Sequence, residues 1–269
     1  PLAVLTSRRS QERAEVTSQR SKSVAVRVAV VGCGYWGRNH VRTFHELGAL
    51  AAVSDRNREV ARGFAERHGV RALDFPELLA APDVDAVAIA APAEHHLALA
   101  REALLAGKHA LVEKPLALTA SQADELRRIA EAQGRVLMVG HILQYHPAFE
   151  ALRELARSGA LGRLQYLYSN RLNLGKIRRE ENILWSFAPH DISMILELVG
   201  EEPSSVQASG SNYLHKAIAD VTVTTLGFPG GENAHVFVSW LHPFKEQKLV
   251  VVGDKAMAVF DDGQPWASK

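Results

Sequence analysis

Two textures of apolar spacing divide the chain. From Val26 to about Val139, short runs rich in Val, Ile and Ala alternate with stretches whose apolar positions recur at helical spacing. Such runs are buried on both faces, and their alternation with helices predicts βαβ units around a parallel sheet. Strands are expected at Val26–Val31, Leu50–Ser54, Arg71–Leu73, Ala86–Ala90, His109–Val112 and Val136–Val139. Helices are expected at Asn39–Leu47, Glu59–His68, His95–Ala106 and Ser121–Gln133, the last capped by Thr119 and ended near Gly134. After a helix at Pro147–Arg157 the period changes to two, over Leu164–Leu172, Ser205–Tyr213, Val221–Phe228, Ala234–Leu241, Lys248–Val252 and Met257–Phe260. Only one helix, Pro189–Leu198, interrupts these runs. Alternation of this kind predicts a mostly antiparallel sheet with one face covered. The expected fold class is therefore an α/β Rossmann domain with a doubly wound parallel sheet, followed by an α+β domain with an open, mostly antiparallel sheet. The expected boundaries are a flexible Ser/Arg/Gln-rich tail at 1–23, the first domain at 24–146 and the second at 147–269. The chain stops after Gln264-Pro265-Trp266 without a finishing element, so a C-terminally truncated second domain is expected.

Composition narrows the partners. With 269 residues, 47% of them apolar, the chain can bury two moderate cores. The formal charge is +1 and no Lys/Arg block is interleaved with aromatics, so neither nucleic acid nor an anionic membrane is an expected partner. No apolar run approaches the roughly 20 residues that span a bilayer. A soluble, cytoplasmic protein acting on a small molecule is expected. The single cysteine, Cys33, excludes an internal disulfide framework and fits a reducing compartment. His95 and His96 point about 100° apart on a helix, and no other His/Cys/Asp spacing suggests ligation, so no metal is expected.

Candidate chemistry begins at Gly32-Cys33-Gly34-Tyr35-Trp36-Gly37, which follows a buried strand and opens a helix. In that context G-x-G-x-x-G reads as a dinucleotide fingerprint: Gly32 permits the tight turn, Gly34 lets backbone approach a pyrophosphate, and Gly37 lets helix and strand pack closely. The pyrophosphate would lie on free N–H groups at the helix start, those of Tyr35 and Trp36 among them. Asp55 ends the next strand, 23 residues after Gly32, where a carboxylate accepts from an adenosine ribose. It would repel a 2′-phosphate, which Arg56 beside it would partly offset. NAD is therefore expected ahead of NADP. The alternative is a Gly-rich turn that binds nothing.

Two further segments, Ala91-Pro92-Ala93-Glu94-His95-His96 and Glu113-Lys114-Pro115, follow strands that end at the carboxyl edge of the sheet, where open α/β folds bind ligands. Lys114 would then arrive beside the cofactor, with its pKa depressed by a half-dry, positively charged crevice and suited to proton transfer. A surface lysine is the plain alternative. The Lys114–Pro115 peptide is open between cis and trans.

With these motifs in order, the chain resembles the Gfo/Idh/MocA family of oxidoreductases. The likeness runs from Val26 to the end and rests on Gly32-x-Gly34-x-x-Gly37, Pro92-x-x-x-His96, and Ala106-Gly107-Lys108-His109 leading to Glu113-Lys114-Pro115-Leu116. The resemblance implies hydride transfer between NAD(P) and a sugar or cyclitol hydroxyl, with Lys114 as the catalytic lysine and Ala91, Pro92, His96 and Glu113 on the cofactor. It implies a chain that continues further, and a homo-oligomer, dimer or tetramer, assembled through the sheet. A family motif Asp-x-Gly-x-His falls on Ser186-Phe187-Ala188-Pro189-His190, so His190 matches the catalytic histidine while Ser186 stands in place of the carboxylate. Otherwise His190 is a helix-start histidine beside Asp191.

The segment from Ser169 to Trp185 resembles members that oxidise the 3-hydroxyl of UDP-N-acetylglucosamine or its uronic acid for surface polysaccharide. It offers Lys176, Arg178 and Arg179 to a diphosphate or carboxylate, or else forms a solvated loop paired with Glu180 and Glu181. Tyr145 and His146, with His141 and Gln144 behind them, are further candidates for the substrate cleft. The competing readings are an NADP-dependent ketoreductase, a cyclitol dehydrogenase, and a dinucleotide-sensing protein without catalysis.

Overall fold

The computed structural model describes residues 26–174, 177 and 181–264. The chain forms two compact units, which meet in sequence at Gly140 and His141.

The first unit runs β1 (Val28–Val31), α1 (Gly37–Glu46), β2 (Leu50–Ser54), α2 (Arg58–His68), β3 (Arg71–Ala72), α3 (Phe75–Ala80), β4 (Ala86–Ile89), α4 (His96–Leu105), β5 (His109–Val112), α5 (Ala120–Ala132) and β6 (Leu137–Val139). Its six strands are all parallel, in the order β3-β2-β1-β4-β5-β6. The order reverses at β1, so β1 and β4 diverge in their connections and open a crevice at their carboxyl ends. Side chains of β1 alternate between two cores. Ala29 and Val31 join Val87, Ile89 and Leu104 on one face of the sheet, and Val28 and Val30 join Val41 and Val53 on the other. A strand buried on both faces has no polar side to show, which is why these runs read as continuously apolar.

Helix starts are set by local chemistry. Asn57 caps α2 by accepting the Glu59 N–H, and Thr119 caps α5 by accepting the Gln122 N–H. Helix α3 falls in a stretch where no helix is expected from the sequence. It opens at Asp74, whose N–H donates to Glu77 Oε2 at 2.9 Å, with Pro76 in its first turn, where a missing N–H costs nothing. Lys108 is buried with its ammonium on the carbonyls of Ala81 and Val84, both at 2.8 Å, so this motif lysine ties the exit of α3 to the start of β5.

The second unit runs α6 (Pro147–Arg157), β7 (Leu164–Leu172), α7 (Ile183–Val199), β8 (Ser205–Ser211), β9 (Val221–Gly227), β10 (Asn233–Ser239), β11 (Glu246–Gly253) and β12 (Met257–Asp261). The sheet order is β12-β11-β7-β10-β9-β8; β7 and β10 pair in parallel and every other neighbour is antiparallel. Period-2 alternation is realised directly. Ala234, Val236 and Val238 of β10 and Thr222, Thr224 and Leu226 of β9 turn to the covered face, where α7 contributes Ile183, Met194 and Ile195 and α6 contributes Phe149 and Leu152. Burying each large aliphatic side chain contributes about 1.5–3 kcal/mol before entropy is counted.

Helix α7 corrects the expected Pro189–Leu198. It begins at Ile183, capped by Asn182, which accepts the Trp185 N–H at 3.0 Å, and it carries Pro189 in its interior. The proline forgoes one bond to the carbonyl of Trp185, yet the apolar face on either side stays packed and the helix continues.

Candidate active site

The fingerprint glycines occupy the places their spacing assigns. Gly32 has φ +88°, and a Cβ there would sit 2.8 Å from the Ala90 carbonyl oxygen. A Cβ on Gly37 would overlap the Gly32 carbonyl oxygen at 1.7 Å, so helix α1 can dock on β1 only through a glycine. A Cβ on Gly34 would meet nothing within 4 Å, which marks open space against bare backbone. That space belongs to a cleft of about 670 Å³ lined by Gly32, Gly34, Ser54, Asp55, Arg56, Arg58, Asp74, Phe75, Ala91, Pro92, His95 and Leu99, among others. It lies at the carboxyl edge of the sheet, beside the point where strand order reverses.

Asp55 is fixed before any ligand arrives. Its Oδ2 accepts the Cys33 N–H at 2.7 Å and its Oδ1 accepts the Asn57 N–H at 2.8 Å. Each oxygen keeps a lone pair, so the carboxylate can still accept from ribose hydroxyls in the cleft. Cys33 itself is buried, and burial, with the Asp55 charge, pushes its thiol up to about 12. It packs the turn.

Of the other residues expected on the cofactor, Ala91, Pro92 and Arg56 line this cleft, whereas Tyr35, Trp36, Gly37, His96 and Glu113 are not among its walls. Tyr35 is exposed with the Arg38 guanidinium 4.8 Å above its ring. His96 is 1% exposed, and its Nδ1 and Nε2 lie 2.7 and 2.8 Å from the carbonyl oxygens of Pro115 and Ala91. This histidine therefore positions the backbone that follows β4 and β5. It is too enclosed to meet a ligand.

Glu113 is likewise buried, at 8% exposure. Its Oε1 accepts from Trp36 Nε1 at 2.5 Å and faces His40 Nε2 at 2.8 Å, while Oε2 accepts the Lys114 N–H at 3.3 Å. Burial pushes the Glu113 carboxyl up, but the bonds from His40 and Trp36 outweigh it and hold the group below the ordinary carboxylate range. Gly140, just after β6, closes the site, since a Cβ there would stand 3.0 Å from the carboxylate. The trio Trp36, His40 and Glu113 thus joins the fingerprint turn and α1 to the segment carrying Lys114, and only Trp36 and Glu113 of the three stand among the residues singled out by sequence. The Lys114–Pro115 peptide is cis, and Lys114 is half-buried.

The second unit carries the other candidates. His190 sits in the second turn of α7 and not at a helix start, one turn after the buried Ser186. The ring of His141 meets it edge-on, with centroids 5.9 Å apart. Asp191, the neighbour of His190, turns its carboxylate into the core. It accepts from Ser169 Oγ at 2.6 Å and from Arg171 Nε at 2.7 Å. Burial disfavours the Arg171 cation, but Asp191, helped by Asp262, more than restores it. This ion pair, which motif reading misses, rivets α7 to β7. Gln144 donates to the Ser193 carbonyl at 2.8 Å, and His146 accepts the Ala148 N–H to cap α6, so both have structural employment. Tyr145 is 61% exposed. Lys176, Arg178 and Arg179 lie outside the described residues. Among the described residues no group of three or more His, Cys, Asp or Glu side chains could hold a metal, and no helix is long and apolar enough to cross a membrane.

Comparison with known proteins agrees with this geometry. Residues 26–141 match the model for the oxidoreductase family with an NAD-binding Rossmann fold, and residues 149–259 match the GFO/IDH/MocA C-terminal domain. UDP-N-acetylglucosamine 3-dehydrogenase of Acidithiobacillus ferrooxidans is 36% identical over 188 residues, 70% of this chain; the match spans 58% of that protein, under two thirds of its length. Its solved structure superposes with a TM-score of 0.80 at 32% identity, over 87% of this chain and 74% of that one. Inositol 2-dehydrogenase of Rhizobium meliloti is 29% identical over 204 residues, 73% of this chain and 62% of that protein. The NAD complex of GenD2 from gentamicin A biosynthesis has a TM-score of 0.83 at 26% identity, over 90% of this chain and 74% of that one. Fingerprint turn, anchored Asp55, Glu-Lys-Pro segment and mixed second sheet thus come together with two consecutive family matches, and the chain belongs to the Gfo/Idh/MocA family of NAD-binding oxidoreductases.

Proposed function

We propose that the chain is an NAD-dependent dehydrogenase that oxidises a secondary hydroxyl of a sugar nucleotide, the 3-hydroxyl of UDP-N-acetylglucosamine or of its uronic acid. The observation that carries the reading is Lys114, placed at the carboxyl end of β5 directly after a Glu113 that is hydrogen-bonded to the fingerprint turn. The likeness to a UDP-N-acetylglucosamine 3-dehydrogenase supports the substrate class. Gly32 and Gly34 are suited to hold the pyrophosphate, Asp55 the adenosine ribose, and Ala91 and Pro92 the adjoining wall. The bound dinucleotide supplies the hydride acceptor. In this mechanism the Lys114 amine accepts the hydroxyl proton as the carbon–hydrogen bond breaks, which leaves a keto sugar. His190 orients the substrate or releases the proton, and Lys176, Arg178 and Arg179 meet the diphosphate or carboxylate. A homo-oligomer formed through the second sheet belongs to the same reading.

The likeness to inositol 2-dehydrogenase favours a second reading, a cyclitol dehydrogenase of the same mechanism. One experiment separates them: the chain is mixed with NAD and, in turn, UDP-N-acetylglucosamine, its glucuronate and myo-inositol, and absorbance of the reduced cofactor is followed. Turnover with a UDP-sugar, falling by about 10²–10⁴-fold in Lys114→Met with NADH binding retained, is expected. Turnover with inositol alone would transfer the assignment to the second reading, and full turnover by Lys114→Met would remove the lysine from the chemistry.

A further inference from the structure

The cleft has a corner where β2 and β3 end, and its charges are arranged beyond what the fingerprint requires. Asp55 follows β2, Arg56 follows Asp55, Arg58 opens α2, and Asp74 lies two residues after β3; all four residues line the cleft. Arg58 donates to the Asp74 carboxylate. The same three residues, Asp55, Arg58 and Asp74, also wall a smaller adjoining cavity of about 270 Å³. A ribose 2′-phosphate, with a charge of roughly −1.5 to −2, would have to settle here. Arg56 and Arg58 are the guanidinium groups available to it among the described cleft residues. Asp55 is pinned by two backbone N–H groups and cannot turn away.

We propose that Asp74 is a second determinant of the choice of NAD over NADP, acting by holding Arg58 and by adding a carboxylate to the corner. With Asp74 in place the four side chains sum to no net charge, two carboxylates against two guanidinium groups. Without it the corner carries a net positive charge and Arg58 is released toward a phosphate, which it can bind bidentately. The backbone at Asp74 is held by its N–H bond to Glu77 at the start of α3, and the contact with Arg58 orients its carboxylate. The pair is solvent-exposed, with Arg58 at 72% and Asp74 at 43%, so breaking it costs the fold little. Asp74→Asn also keeps a good helix cap. The substitution therefore alters charge at the corner while leaving the architecture in place.

The test is a pair of fluorescence titrations, with NADH and with NADPH, on the unaltered chain, Asp74→Asn, and Asp74→Asn combined with Arg58→Gln; it needs no knowledge of the sugar substrate. The unaltered chain should prefer NADH. Asp74→Asn should shift the NADPH-to-NADH affinity ratio about tenfold toward NADPH, and the added Arg58→Gln should abolish that shift. An unchanged ratio in Asp74→Asn would overturn the inference, as would a shift that survives loss of Arg58. Tighter NADPH binding by the unaltered chain would overturn it too, and binding of neither dinucleotide would remove its foundation together with the reading of the cleft.

Discussion

Glu113 shows how much a single buried carboxylate can organise. A ring N–H from the fingerprint turn, one from α1 and one backbone N–H converge on it, and these bonds favour its charged form. Trp36→Phe should cost about 1–3 kcal/mol near neutral pH. The sign with pH follows from the lowered carboxyl. Stability from the charged group is present above the unfolded value near 4.3 and is lost as pH falls through the lower folded value. The penalty of Trp36→Phe should shrink over that same acid window, measured as the difference in urea midpoint between variant and parent. A penalty independent of pH would mean that the indole acts only by packing. The glycines and Asp55 were legible in the sequence because their roles are set by a few neighbouring residues. The bond from Trp36 to Glu113 was not, because it joins residues 77 apart through the docking of α1 and β5 on one sheet. His96 was legible as a motif member but not as a clamp on two carbonyls, for the same reason.

At the scale of elements, the strand–turn–helix from β1 to α1 separates folding from binding glycine by glycine. Gly37→Ala drives a carbon into the Gly32 carbonyl and should cost about 1–3 kcal/mol. Gly34→Ala enters empty space, so stability should stay within about 0.5 kcal/mol while NADH affinity falls. Denaturant melts paired with NADH titrations check both, and equal behaviour of the two variants would refute the division of labour. Apolar period alone located the strands and most helices here, several to the residue, as at β2, β5, α6 and β7. It failed at two helices. Pro76 lies in the first turn of the short α3, and Pro189 sits inside α7, whose true start is the Asn182 cap. Nor did period two disclose that β7 and β10 run parallel. Alternation fixes which face is buried, whereas direction depends on how the intervening chain crosses.

For the whole molecule, composition allowed two cores and the chain builds two units, each with its own buried cluster. A ligand that binds the folded first unit stabilises that fold by mass action. NADH at about a hundred times its dissociation constant should raise the unfolding free energy of this unit by about 2.7 kcal/mol. Hydrogen exchange of the β1, β4 and β5 amides with and without NADH measures it, and unchanged protection there would contradict binding in the cleft. The buried Cys33 has a further use for any such experiment. As this chain's lone thiol, sealed under the turn and held as the unreactive protonated form, it makes the chain a nearly silent background for sulfhydryl chemistry. A spin label or fluorophore introduced at one surface cysteine in either unit would report from that position alone, with no native residue to remove first.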